Sequence, residues 1–386
     1  MFEGRPLDLL MAASGQVRSF ARSDPSPGAS LMYPNRPIVL AFVLLCLSAS
    51  ARPASGEAPC APAEPQCAKR LRDVHPVKAL SFWKDSLARP LEERVAPGSP
   101  ELVEYLTLDN IAQSIPTRPR MASLTPDLLA DVRAAIVELP PLVQRLLERK
   151  LLGIRFLEDM GGTGYTDTVN DARGEPAAAF VVLDPSVLAR RRANDWATWK
   201  ESSPFRDDGV HRLEAVIEEG AHDDRMHAIQ YILLHEFGHV LSVGERFHPN
   251  WNIPPAKLGS AAEFPFFDLS WTVSRPQGRY ATGFDAEFPE RPRVVYYFGA
   301  KLDGDQLVGT YEHLERTNFA TLYAVTHPAD DFAESFASYV HTVLMGKPLE
   351  IRLLRDSRPV KVYGSCWARE RCAAKRAVLD TMFADR

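Results

Sequence analysis

Residues 225–244, RMHAIQYILLHEFGHVLSVG, decide how this chain is read. Met226, Ile229, Leu233 and Phe237 recur at helical spacing, Asp223 or Asp224 stands where an N-cap belongs, and Gly244 is placed to stop the helix. His235 and His239 are four apart, so both imidazoles project from one face, about one turn separated, within reach of a single ion. Ile232-Leu233-Leu234 and Val240-Leu241 bracket them, which makes the helix apolar on nearly all sides and therefore buried. Two histidines and Glu236 buried together need partners. A decorated surface helix is the competing reading, since His222, His227 and His248 make histidine locally common. The apolar flanks argue against it.

The arrangement is HExxH, His235-Glu236-Phe237-Gly238-His239. In that pattern the histidines bind a metal and the glutamate holds the water at its open position, so Glu236 is the candidate general base. Zinc is the expected ion, because two imidazoles and a carboxylate suit it and catalytic zinc keeps one coordination position open. The third protein ligand is not supplied locally in the manner of the metzincins. Ser242 and Glu245 occupy the positions where that class needs glycine and histidine, and His248 comes three residues late.

A better source lies downstream, in YAVTHPADDFAESFASYV at residues 323–340. Pro328 marks a helix start, and Asp330 and Asp331 suit its first turn beside the positive end of the helix dipole. Phe332, Phe336, Tyr339, Val340 and Val343 form an apolar stripe, with Gly346 and Pro348 ending the helix. Asp330 and Glu334 share a face. One can bind zinc while the other accepts a hydrogen bond from a ligand histidine, and the spacing leaves open which does which. A solvated acidic face on a core helix is the alternative, and Glu312 and Glu315 are the next carboxylates to consider.

HEFGH followed by YAVTHPADDFAESF resembles the gluzincin metallopeptidases, especially the catalytic domain of anthrax lethal factor and its relatives. The resemblance spans residues 124–345 by order of elements, with only the two motifs specific. It implies a two-lobed zincin-like α+β fold with a small mixed sheet, an HExxH helix and a mainly helical C-terminal lobe. It also implies that His235 and His239 are ligands, Glu236 the general base and Tyr323 an electrophilic helper at the oxyanion. Asp330 falls where the family carries its glutamate ligand, and Glu334 matches the glutamate one turn later. Asp is one methylene shorter than Glu, so either this helix sits closer to the metal or Glu334 is the ligand.

Upstream, Leu124–Lys150 reads as helix interrupted at Pro140-Pro141, Gly153–Leu157 as a strand, and Gly161–Gly164 as a turn or loop. Ala177–Leu183 is a second strand. As the edge strand of a zincin it would pair with an extended substrate, and as an ordinary core strand it would not. The span 251–311 between the motifs is long and aromatic, with Phe264, Phe266, Phe267, Trp271, Tyr296 and Tyr297.

The chain divides into 1–51, 52–123, 124–250 and 251–386. In the first part Ile38–Ala49 (IVLAFVLLCLSA), preceded by Arg36 and followed by small residues, has the layout of a secretory signal peptide, with Met32 just upstream. An uncleaved anchor is the alternative. The second part is a Pro/Ala-rich linker and short helical patterns. Cys60, Cys67, Cys366 and Cys372 then form an even set in an exported chain, their spacing favouring Cys60–Cys67 and Cys366–Cys372 disulfides. With 45 basic and 50 acidic residues, net −5, composition gives no reason to expect nucleic acid or an anionic membrane as partner. The expectation is an exported zinc metallopeptidase acting on a peptide or protein. A non-catalytic zinc-binding protein and a zinc hydrolase of a non-peptide amide are the alternatives.

Overall fold

The computed structural model describes residues 61, 63–188, 191–297 and 299–384. Ile38–Ala49 and Cys60 lie outside the described residues. Nine strands are described: β1 (Arg120–Met121), β2 (Leu151–Glu158), β3 (Gly164–Asn170), β4 (Pro176–Leu183), β5 (His211–Val216), β6 (Trp271–Ser274), β7 (Arg279–Thr282), β8 (Glu350–Arg355) and β9 (Arg358–Gly364). With the helices they make an α+β protein with small sheets.

The first sheet has the order β1-β2-β4-β3, with β2 and β4 parallel and the other pairs antiparallel. Its strands alternate between two cores. Ala179, Val181 and Leu183 of β4 join the larger core under the helix Arg225–Ser242. Ala178, Phe180 and Val182 face the opposite side, where Val77, Trp83, Leu102, Tyr105 and Leu106 from the N-terminal helices cover them. Both faces of β4 are thus buried, which is why AAAFVVL is a continuous apolar run.

The two readings of Ala177–Leu183 separate here, in favour of the core strand. Ala177–Leu183 is not the edge strand, because β4 lies between β2 and β3. The edges of this sheet are β1 and β3, and β3 starts at Gly164, the last residue of the expected turn. The C-terminal half holds strands beside its helices. It carries the β6–β7 pair and the hairpin β8–β9, and β8 pairs with β5 from upstream of the HEFGH helix. Residues 124–250 and 251–386 therefore share a sheet.

The aromatic span 251–311 builds core beneath the second motif. Phe266 packs edge-on to Phe332, and Trp271 Nε1 donates to Asp331 Oδ2 at 2.9 Å. Lys375 from the last helix, Ala373–Ala384, places its ammonium 2.6 and 2.7 Å from the two Asp331 oxygens, and both side chains are fully buried. That pair fixes the C-terminal helix against the acidic one. Cys366 and Cys372, just before it, are disulfide-bonded as expected. Among the described residues no helix is long and apolar enough to cross a membrane.

Candidate metal centre

The first motif lies on the helix Arg225–Ser242, every residue of which from His227 onward is buried. Asp224 is the N-cap, accepting from the His227 backbone N–H at 3.0 Å. After the C-cap at Val243, Gly244 adopts φ +73°, the left-handed conformation that ends helices at little steric cost. The second motif lies on the helix Pro328–Tyr339, capped by the His327 side chain accepting from Ala329 N.

These two helices cross at Gly238 and Ala333. A β-carbon on Gly238 would stand 2.6 Å from Ala333 Cα, so the glycine inside HEFGH is what lets the helices approach. Close approach resolves the length problem of Asp330. Its short side chain reaches the histidines: Oδ1 is 3.8 Å from His235 Nε2 and 3.6 Å from His239 Nε2, and the two Nε2 atoms are 3.2 Å apart. All three residues are buried, and their donor atoms form one cluster able to hold a metal ion. Donors bound about 2.0–2.1 Å from a tetrahedral zinc stand about 3.3–3.4 Å apart, close to the triangle seen.

Polar accounting supports the same centre. Asp330 Oδ2 accepts from Thr326 Oγ1 at 3.3 Å, whereas Oδ1 is buried and has no hydrogen-bond donor among the described residues. A buried carboxylate oxygen left without a donor is costly unless a cation faces it. Glu334 occupies the other role. Its Oε1 accepts from His235 Nδ1 at 2.8 Å and from Lys200 Nζ at 2.7 Å, and its Oε2 accepts from Thr321 Oγ1 at 2.7 Å. With Nδ1–H committed to Glu334, the His235 lone pair lies on Nε2 and faces the cluster.

Ionisation follows from burial and neighbours. Burial, and then the adjacent His235, push His239 down to about 3, keeping it neutral. Burial acts the same way on His235, but the Glu334 hydrogen bond and charge outweigh it and raise its value. Burial pushes Asp330 up to about 7. Although burial opposes it, Lys200 and His235 hold Glu334 well below the usual carboxylate range.

Glu236 sits one residue along, buried, with its proton affinity raised chiefly by that burial. Its Oε2 accepts from Thr166 Oγ1 of β3 at 2.6 Å. Tyr323 begins the turn that leads into the acidic helix. Its ring centroid is 5.5 Å from that of His235, with Lys200 Nζ 4.9 Å from its own centroid and Tyr296 packed edge-on. On the other side, Trp251 packs edge-on to His239 at 5.7 Å.

The candidates His235, Glu236, His239, Tyr323, Asp330 and Glu334 are thus brought together. The reserve carboxylates are not: Glu315 pairs with Arg369 and Arg371, and Glu312 lies 3.9 Å from Lys361. His248 points Nδ1 at the Pro249 carbonyl and is outside the metal-capable cluster. Sequence reasoning missed Gly164, Thr166, Lys200 and Thr321. No local motif marks them, since Thr166 and Lys200 serve partners 70 and 134 residues away.

The chain matches none of the protein families, curated proteins or solved structures it was compared with.

Proposed function

We propose that this protein is an exported zinc metallopeptidase with a zincin-like two-lobed architecture, in which His235, His239 and Asp330 hold the metal. The observation that carries the reading is the triangle of His235 Nε2, His239 Nε2 and Asp330 Oδ1, with the aspartate oxygen buried and lacking a hydrogen-bond donor among the described residues. Three converging protein donors among the described residues match a catalytic zinc better than a structural one, which takes four. When bound, zinc supplies Lewis acidity and brings the acidity of water toward neutral pH.

The chain's own residues supply the rest. Glu236 accepts a proton from the attacking water and delivers it to the leaving amine of the scissile bond. Tyr323, beside His235, donates a hydrogen bond to the oxygen of the carbonyl under attack as charge develops there. Glu334 fixes the tautomer of His235, and Lys200 balances the charge of Glu334. An edge strand beside the HEFGH helix supports the choice of an extended peptide as substrate, and β3 takes that role from β4. The Cys366–Cys372 disulfide supports an oxidising, exported location.

The test is elemental analysis of purified protein. One zinc per chain is expected in the wild type and none in a His235→Ala, His239→Ala double variant. A metal-free wild type, or full metal in the double variant, refutes the centre.

A further inference from the structure

We infer that Thr166, on the edge strand, is the positioning residue for the base Glu236, and that Gly164 provides the space the carboxylate occupies. This rests on the metallopeptidase reading and adds the means by which its base is aimed.

Gly164, Thr166 and Thr168 are alternate residues of β3 and so lie on one face of the sheet, while Tyr165 and Val169 point into the opposite core. Gly164 pairs with Leu183 and Thr166 with Val181 of β4, so the sheet ladder and not a loop sets their positions. The Thr166 hydroxyl donates to Glu236 Oε2 at 2.6 Å, both residues being buried, which is the short geometry of a bond to an ionised carboxylate. Among the described residues it is the one hydrogen bond to that carboxylate. A β-branched side chain has few χ1 choices, so the donor itself is stiff.

Gly164 completes the cradle. A β-carbon there would lie 2.3 Å from Glu236 Oε1 and 2.9 Å from its carboxyl carbon, so the carboxylate rests directly on strand backbone. A glutamate side chain has three rotatable bonds, and a base must be held to within about 0.5 Å to act. One oxygen clamped by a rigid hydroxyl, with the other against a glycine, meets that requirement.

The experiment uses the zinc-loaded full chain and a peptide that the wild type cleaves. Thr166→Val is expected to keep its zinc and hold KM within about threefold, while kcat falls about 10- to 100-fold, the loss expected when a reacting group is misplaced by about 1 Å. Thr166→Ser, which keeps the hydroxyl, is expected to restore kcat to within about threefold of wild type. Should Thr166→Val fail to fold, Thr166→Ala carries the same expectation. Near-wild-type kcat in a variant without the hydroxyl overturns the inference, as does failure of Thr166→Ser to rescue. A wild type that binds zinc but cleaves no peptide overturns the metallopeptidase reading and this inference with it. Cleavage by wild type and Thr166→Val alike overturns this inference alone.

Discussion

Gly238 lies against Ala333 so closely that a β-carbon on the glycine would stand 2.6 Å from Ala333 Cα and 3.1 Å from its carbonyl oxygen. This contact sets the spacing between the helix that carries the histidines and the helix that carries Asp330. Gly238→Ala gains helix propensity, yet the obstacle is backbone and cannot swing aside. The helices must separate, with a net destabilisation of about 1–3 kcal/mol and weaker zinc binding. Thermal unfolding and a zinc titration check this, and unchanged values in both refute the proposed spacing role.

The two acidic residues of the second motif should separate cleanly. Asp330→Ala is expected to abolish tight zinc binding. Glu334→Ala, which strips His235 of its orienting partner, is expected to weaken it about 10- to 100-fold. Competition titrations read the order directly, and the reverse order would make Glu334 the ligand.

Zinc affinity should depend on pH through the groups the ion must displace protons from. Burial pushes Asp330 up to about 7, and Glu334 raises His235 despite its burial. Protons on Asp330 therefore compete as pH drops through about 7, and the raised His235 adds competition starting above its ordinary value, so affinity rises with pH and falls on acidification. His239, pushed down to about 3, adds no competition in that range. Each displaced proton contributes about a tenfold loss per pH unit. Affinities measured from about pH 5.5 to 8 that stay flat would contradict the ligand assignment.

Lys375 and Asp331 form a fully buried pair beneath the centre. Lys375→Met leaves a buried carboxylate with the Trp271 and Ser335 side-chain donors among the described residues, and should destabilise the fold by about 3–5 kcal/mol. Denaturant unfolding measures it. A loss under about 1 kcal/mol would show that the pair does little for stability.

Both site helices were legible because their signals are local. Apolar periodicity, an Asp or Pro at the start and a glycine past the end fall within one stretch of chain, and the i, i+4 spacing puts each motif on one face. The choice between Asp330 and Glu334 was not legible, since it depends on how closely two helices far apart in sequence approach. Gly238 held that information, but as one of the two variable positions inside HExxH it gave no sign of it. Strand β3 was missed for a different reason. GYTDTVN is buried on both faces yet mostly polar, because its side chains satisfy one another and their neighbours. Thr166 bonds Glu236, while Asp167 takes hydrogen bonds from Tyr165 and Lys78. Apolar alternation does not detect such a strand. Without β3 the choice between edge and core for β4 stays open in the sequence, because β3 is what pairs along its outer side.

The central claim is that Glu236 acts as the base of a zinc peptidase, and one digest tests it most directly. A peptide library is incubated with zinc-loaded wild type and with zinc-loaded Glu236→Gln, and the products are read by mass spectrometry. The amide is nearly isosteric with the carboxylate but cannot take the proton of the attacking water. Cleavage by the wild type, with nearly all of it lost in a Glu236→Gln variant that still binds zinc, is the result expected. Equal cleavage by both proteins, or none by the zinc-loaded wild type, would contradict the account.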